Sequence, residues 1–124
     1  MKPADSHSLL RPETVESLFI LHRITGDAKY QEYGWEMHQA LDKYAKVASG
    51  GYCSLDNVNV VPPTMHRDKM ESFFLGETLK YLYLLFEDSA GGDAGSAPHA
   101  LSLDEIVFNT EAHPLPIWVN GVPS

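Results

Sequence analysis

The chain has 124 residues, 44% hydrophobic and 21% charged, with nine basic side chains against seventeen acidic ones and a net charge of −8. That length suits one domain with a modest core, and the acidic balance argues against a nucleic-acid or anionic-membrane surface, which needs clustered Lys and Arg. One cysteine, Cys53, excludes an internal disulfide and a cysteine zinc site. The longest apolar run, Tyr81 to Phe86, is far too short to span a bilayer, and the polar opening MKPADSHS lacks the apolar core of a signal peptide.

Three helical stretches are expected. The first begins at Pro12, where the missing N–H costs nothing, with Glu13 and Glu16 near the positive end of the helix dipole. Its apolar residues Val15, Leu18, Phe19, Ile20 and Leu21 carry it to about Ile24, and Thr25-Gly26-Asp27 supplies the stop. In the second, Tyr30, Tyr33, Met37, Leu41, Tyr44 and Ala48 recur at helical spacing, which predicts one buried stripe ending at Ser49-Gly50-Gly51.

The stretch from Tyr52 to Arg67, with Pro62-Pro63 and several β-branched residues, predicts irregular or briefly extended chain. A third helix is expected from Asp68, a good N-cap residue, to about Phe86. Its second half is apolar nearly all round, which predicts burial on most sides and more neighbours than two other helices supply. Residues 87–102 are small, polar and Gly-rich and predict a flexible connector. From Ile106 to Trp118, β-branched and aromatic residues around Asn109-Thr110, followed by Pro114 and Pro116, predict a short β-hairpin.

Three places carry chemistry. Glu13 and Glu16 lie three apart in the first turns of a helix, with Arg11 just before the proline. They read either as dipole-complementing acids with a surface ion pair, or as a carboxylate pair beside a guanidinium, as a polyhydroxylated ligand requires. The helix end and Arg11 favour the ionised forms, which suits a base or hydrogen-bond acceptor better than a general acid. Phe73 and Glu77 are four apart in the third helix. A ring beside a carboxylate can hold a sugar, the ring taking the apolar face and the carboxylate the hydroxyls; alternatively Phe73 is core and Glu77 pairs with Lys80 or Lys69. In VFNTEAHP (107–114), Thr110 and Glu111 offer oxygen ligands of the kind a hard cation such as calcium takes, although the pattern lacks the spaced carboxylates of a calcium loop and by itself favours an ordinary turn. The six histidines show no HExxH spacing, so zinc is not expected, and neither GxSxG nor a phosphate-binding glycine loop occurs.

LLRPETVESLF (9–19), RDKMESFFLGETLKYLYLLF (67–86) and VFNTEAHPLPIW (107–118) closely resemble glycoside hydrolase family 47, the class I α-1,2-mannosidases, with GWEMHQAL (34–41) on the helix between them. The wording of TVES and of RDKMESFFLGETLKY is more similar to the endoplasmic-reticulum type than to the Golgi type. The resemblance implies an all-α fold, part of an (αα)7 barrel with a short C-terminal β-hairpin, and implies that residues 1–124 are the C-terminal fragment of a single catalytic domain. It implies calcium-dependent, inverting hydrolysis of terminal α-1,2-linked mannose from oligomannose N-glycans on glycoproteins.

By the same resemblance, Glu13 is the catalytic base or water-orienting group, and Arg11 and Glu16 are its pocket neighbours. Phe73 and Glu77 pack on and hydrogen-bond the terminal mannose. Thr110 is the direct calcium ligand and Glu111 holds calcium-bound water. The general acid, the disulfide and a membrane anchor are expected outside these residues, so the chain alone is expected to be inactive. The implied location is the lumenal side of the endoplasmic reticulum or Golgi. Two rival readings are a mannosidase-like glycan-binding protein of endoplasmic-reticulum-associated degradation and a plain helical interaction scaffold.

Overall fold

The computed structural model describes residues 6–62, 66–87, 101–119 and 122–123. The first helix, α1, runs Glu13–Thr25, with Pro12 at its N-cap. It stops where Gly26 turns left-handed at φ +68 and its N–H donates to the His22 carbonyl at 2.8 Å, the C-terminal signal expected from the sequence. Val15, Leu18 and Phe19 form its buried face.

Helix α2 spans Lys29–Tyr44 and packs against α1. Asp27 prepares its start by accepting the Lys29 N–H at 3.0 Å. The helix ends before the expected Ser49-Gly50-Gly51 stop. Past Tyr44 the chain doubles back, Cys53 N–H donating to the Ala45 carbonyl at 2.8 Å and Val47 N–H to Gly51 at 3.0 Å, so residues 45–53 are held by pairing to one another. The expected buried stripe is correspondingly shallow. Tyr33 is 51% exposed, Ala48 is exposed, and only Gly34 of α2 is fully buried.

The stretch after Tyr52 is briefly extended, as expected. Strand β1 (Ser54–Leu55) pairs antiparallel with β2 (His66–Arg67), Ser54 opposite Arg67 and Leu55 opposite His66. This pairing delays the third helix. The Ser54 N–H donates to the Lys69 carbonyl at 3.1 Å, which keeps residues up to 69 out of a helix, and Asp68 does not cap one. Helical backbone begins at Ser72, and residues Phe74–Thr78 form a π-helical segment before α3 (Leu79–Phe86). The Leu79 N–H donates to Phe74, five residues back, so the segment holds one more residue per turn than an α-helix would.

The core of residues 6–85 gathers Leu10, Ala45 and Phe74, with Leu41, Tyr52 and Leu79 packed against them and the Tyr52 and Phe74 rings 5.0 Å apart. In α3, Tyr81, Leu82, Leu84 and Leu85 are buried, but Tyr83 is 68% exposed. Among the described residues α3 is therefore buried on one face, and the two other helices do not supply the further neighbours that its apolar character calls for. α1 and α2 reach the C-terminal end of α3 through Arg23 Nη2 and Gln31 Nε2, which donate to the Leu84 and Leu85 carbonyls at 3.2 and 2.9 Å.

The chain divides into two compact units, residues 1–85 and 86–124. In the second, Ser102 organises a turn by accepting the N–H groups of Glu105 and Ile106 on its carbonyl and that of Asp104 on its hydroxyl. Of the expected connector, residues 88–100 lie outside the described residues. The expected hairpin is present: β3 (Ile106–Phe108) pairs antiparallel with β4 (Pro114–Pro116) in the register Ile106–Pro116, Val107–Leu115 and Phe108–Pro114. The Ile117 N–H continues the pairing to the Glu105 carbonyl at 2.8 Å. A two-stranded ladder tolerates the two prolines because their missing N–H groups leave no central strand unpaired. Beyond it, β5 (Trp118–Val119) pairs with β6 (Val122–Pro123).

Candidate functional site

The bend that presents Arg11 begins one residue earlier. Leu10 has φ +62, the left-handed region that residues with a Cβ rarely occupy, and is 2% exposed. Pro12 follows with its φ fixed by the ring, and Glu13 opens α1. The result is a short platform on which the Arg11 Nη1 and Glu13 Oε1 lie 3.7 Å apart, both side chains more than half exposed. The Arg11 guanidinium also stands 6.0 Å from the centroid of the half-buried Phe73 ring, within cation–π range. Arg11 thus stands between Glu13 and Phe73, joining two places that were singled out separately from the sequence.

Glu16 and Glu77 meet through a residue that the sequence reading left in the core. Tyr81 is buried against Phe19, ring centroids 5.8 Å apart, and points its hydroxyl at Glu16 Oε1, 3.5 Å away. Burial, followed by the negative charges of Glu16 and Glu77, pushes the Tyr81 phenol up to about 12. It stays protonated at neutral pH and can only donate to a carboxylate. Glu77 is buried, 8% exposed. One of the two candidate partners, Lys69, is held instead by Glu71 at 2.8 Å. Glu77 lies in the π-helical segment beside Thr78, whose hydroxyl donates to the Leu10 carbonyl at 2.6 Å.

In the second unit, Thr110 and Glu111 sit at the exposed turn between β3 and β4. Asn109 closes that turn: its Oδ1 accepts the N–H groups of Glu111 and His113 at 3.0 and 2.9 Å, and its backbone pairs with His113 and Ala112. Ala112 is buried with φ +56 and completes the reversal. The turn therefore uses its own backbone and one side-chain amide for closure. Thr110 can offer a hydroxyl and a carbonyl oxygen, with the Glu111 carboxylate next to it, an all-oxygen donor set that fits a hard cation. A cation of six to eight ligands takes only part of its shell from such a set, and among the described residues no cluster of three or more His, Cys, Asp or Glu side chains is placed to hold a metal.

A separate open cavity of about 260 Å³ is lined in part by Gly51, Cys53, His66, Arg67 and Lys69 and by none of the expected site residues. Its cations have acidic partners, Arg67 with Asp56 and Lys69 with Glu71.

Sequence reasoning missed Leu10, Thr78, Tyr81 and Asn109. Thr78 carried a readable signal, a small hydroxyl side chain at the entry to the largely apolar helical half, and Asn109 stood at the head of a recognised turn. Leu10 and Tyr81 carried none, because a strained leucine and a buried tyrosine are indistinguishable from ordinary core residues until the fold is known.

The family model for glycosyl hydrolase family 47 matches residues 1–117. This chain belongs to that family. Within family 47 it is 62% identical over 118 residues to the human endoplasmic reticulum mannosyl-oligosaccharide 1,2-alpha-mannosidase, covering 95% of this chain and 16% of the human protein. It is 63% identical over 120 residues to a mannosyl-oligosaccharide 1,2-alpha-mannosidase of Arabidopsis thaliana, covering 97% of this chain and 18% of that protein. Its structure superposes on the alpha-1,2-mannosidase from Trichoderma reesei with a TM-score of 0.75 at 38% identity, over 91% of this chain and 22% of that one. The chain thus spans under a quarter of the length of these family 47 relatives. No helix among its described residues is long and apolar enough to cross a membrane.

Proposed function

We propose that these residues form the C-terminal part of a family 47 catalytic domain, one arc of an (αα)7 barrel with a short C-terminal β-hairpin. The whole domain would remove terminal α-1,2-linked mannose from oligomannose N-glycans on glycoproteins, with inversion, at the lumenal side of the endoplasmic reticulum. The observation that carries this reading is the Arg11–Glu13–Phe73 grouping, in a chain 62% identical to a mannosyl-oligosaccharide 1,2-alpha-mannosidase.

In an inverting hydrolysis one carboxylic acid protonates the departing oxygen while a carboxylate on the opposite face of the sugar takes a proton from the attacking water. Glu13 suits the second role. It is 65% exposed on its side chain, so water can reach it, and the Arg11 guanidinium stands 3.7 Å from its Oε1. Phe73 offers the ring on which an apolar sugar face packs, and Glu77 a buried acceptor for sugar hydroxyls. Glu16, approached by the Tyr81 hydroxyl, keeps one carboxylate oxygen directed. Thr110 would hold calcium through its hydroxyl and carbonyl oxygens, and Glu111 would hold the water bound to it. Held there, such an ion would supply a charge able to order sugar hydroxyls. The acid is assigned to the portion of such a domain that these residues do not span, so the 124-residue chain by itself is expected to release no mannose.

The test is mannose release from an α-1,2-linked oligomannose. In the full-length protein, Glu13→Gln should lower the rate by about 10²- to 10⁴-fold, the usual worth of general base catalysis. Unchanged turnover would overturn the assignment. Turnover by the isolated chain comparable to the full-length protein would overturn the expectation that it lacks its acid. Binding of oligomannose by the full-length protein with no hydrolysis would favour a glycan-binding role in endoplasmic-reticulum-associated degradation.

A further inference from the structure

We infer that Thr78 is a positioning residue for the Arg11–Glu13 pair, acting through the Leu10 carbonyl; the inference rests on the role proposed for that pair. Three observations converge on it. Leu10 is held at φ +62, which places the peptide plane between Leu10 and Arg11 in an orientation that an unconstrained leucine does not keep. The Thr78 hydroxyl donates to that carbonyl at 2.6 Å, and with Thr78 1% and Leu10 2% exposed no bulk water competes for the bond. Thr78 is also the last residue of the π-helical segment and the residue after Glu77. One hydroxyl therefore ties the backbone that carries Arg11 to the helix that carries Glu77, across 68 residues of sequence.

The chain on the far side of Leu10 has little freedom to absorb an error. Pro12 fixes its own φ, and Glu13 is already helical. A rotation of the Leu10–Arg11 peptide would pass directly to the guanidinium, moving it relative to Phe73 and Glu13. π-helical insertions recur where a helix must aim side chains at a functional site. Here the insertion ends on the residue that makes the clamp.

The experiment uses the full-length protein. Thr78→Val keeps the side-chain shape and removes the donor; Thr78→Ser keeps the donor. We expect kcat/KM on an α-1,2-linked oligomannose to fall about tenfold in Thr78→Val, the worth of one buried hydrogen bond, and to stay within about twofold in Thr78→Ser. Calorimetric affinity for an uncleavable sulfur-linked α-1,2-mannobioside should fall with it. Thermal midpoints measured alongside separate positioning from stability. If the two variants show equal kcat/KM at a temperature where both are folded, Thr78 is a structural residue only and the inference is wrong. If Thr78→Val does not fold, Thr78→Cys replaces it, since a thiol fills the space but donates weakly. Activity equal to that of Thr78→Ser would then overturn the inference. Glu13→Gln, run in parallel, keeps the two readings apart. Full activity there sinks the site itself, whereas loss there together with equal Thr78 variants sinks only the clamp.

Discussion

In the helical unit, the hydrogen bonds that shape the region from Leu10 to Glu16 arrive from Thr78 and Tyr81, 68 and 65 residues away in sequence. In the hairpin, the bonds that shape the Thr110 turn run among Asn109, Glu111, Ala112 and His113. The carboxylates of the helical unit owe their placement to tertiary packing, and damage to the core should reach them. The cation-binding oxygens proposed for the hairpin owe theirs to a local turn, and damage elsewhere should spare them. One unit would then fail cooperatively, the other piecemeal.

The sharpest probe of that contrast is Phe74→Ala. Phe74 is fully buried and belongs to the cluster that also seats Leu10. Its truncation should destabilise the protein by about 3–5 kcal/mol, read from denaturant unfolding of the full-length protein, and should weaken binding of an uncleavable mannobioside wherever the variant is still folded. Stability within about 0.5 kcal/mol of the parent would show that the long-range core does not govern the helical site.

A smaller effect is expected at Asn109→Ala, which removes the acceptor for two backbone N–H groups. Because the turn is exposed, the cost should be about 1 kcal/mol. We expect calcium affinity to fall by up to about fivefold, the equivalent of that cost. A drop in glycan binding under calcium-free conditions would mean that the hairpin is not the self-contained unit its hydrogen bonds describe.

The smallest effect lies at Asp42, a control outside both sites. Hydrogen bonds from Lys46 and Tyr52 hold its carboxyl below the ordinary value of 3.8. A carboxyl depressed in the folded state contributes stability that is present above 3.8 and lost as pH falls through its folded value. Asp42→Asn should therefore lower Tm slightly at pH 7, and the gap should close in acid below that folded value. A gap that persists there would place the effect in packing rather than charge.

The local parts of this architecture were legible in the sequence, and the long-range parts were not. Pro12, the acidic first turn and Gly26 bounded α1, because a helix start and stop are written in adjacent residues. Asn109-Thr110 between β-branched residues marked the hairpin for the same reason. The early end of α2 and the late start of the third helix escaped because tertiary pairing decided both. Lys46 bridges to Tyr52, and Ser54 reaches Lys69, overriding local helix preference. The site shows the same division. Arg11, Glu13, Glu16, Phe73 and Glu77 could be chosen by chemistry and by resemblance. That Tyr81 would face Glu16, or that Thr78 would hold Leu10, depends on how two distant segments pack.

The π-helical segment Phe74–Thr78 also sets a rule for insertions and deletions. Its surplus residue is a phase shift in the helix. Deleting Gly76, whose surroundings are open enough to admit a side chain, would let the backbone relax into an ordinary α-helix of nearly equal helical content. Everything after the deletion would be rotated by about 100° against everything before it, one residue's turn of an α-helix. Phe73 and Tyr81 could no longer both address the Arg11–Glu16 region. Such a variant would pass a circular dichroism measurement and fail a sugar-binding one, because it would keep its secondary structure and lose its aim.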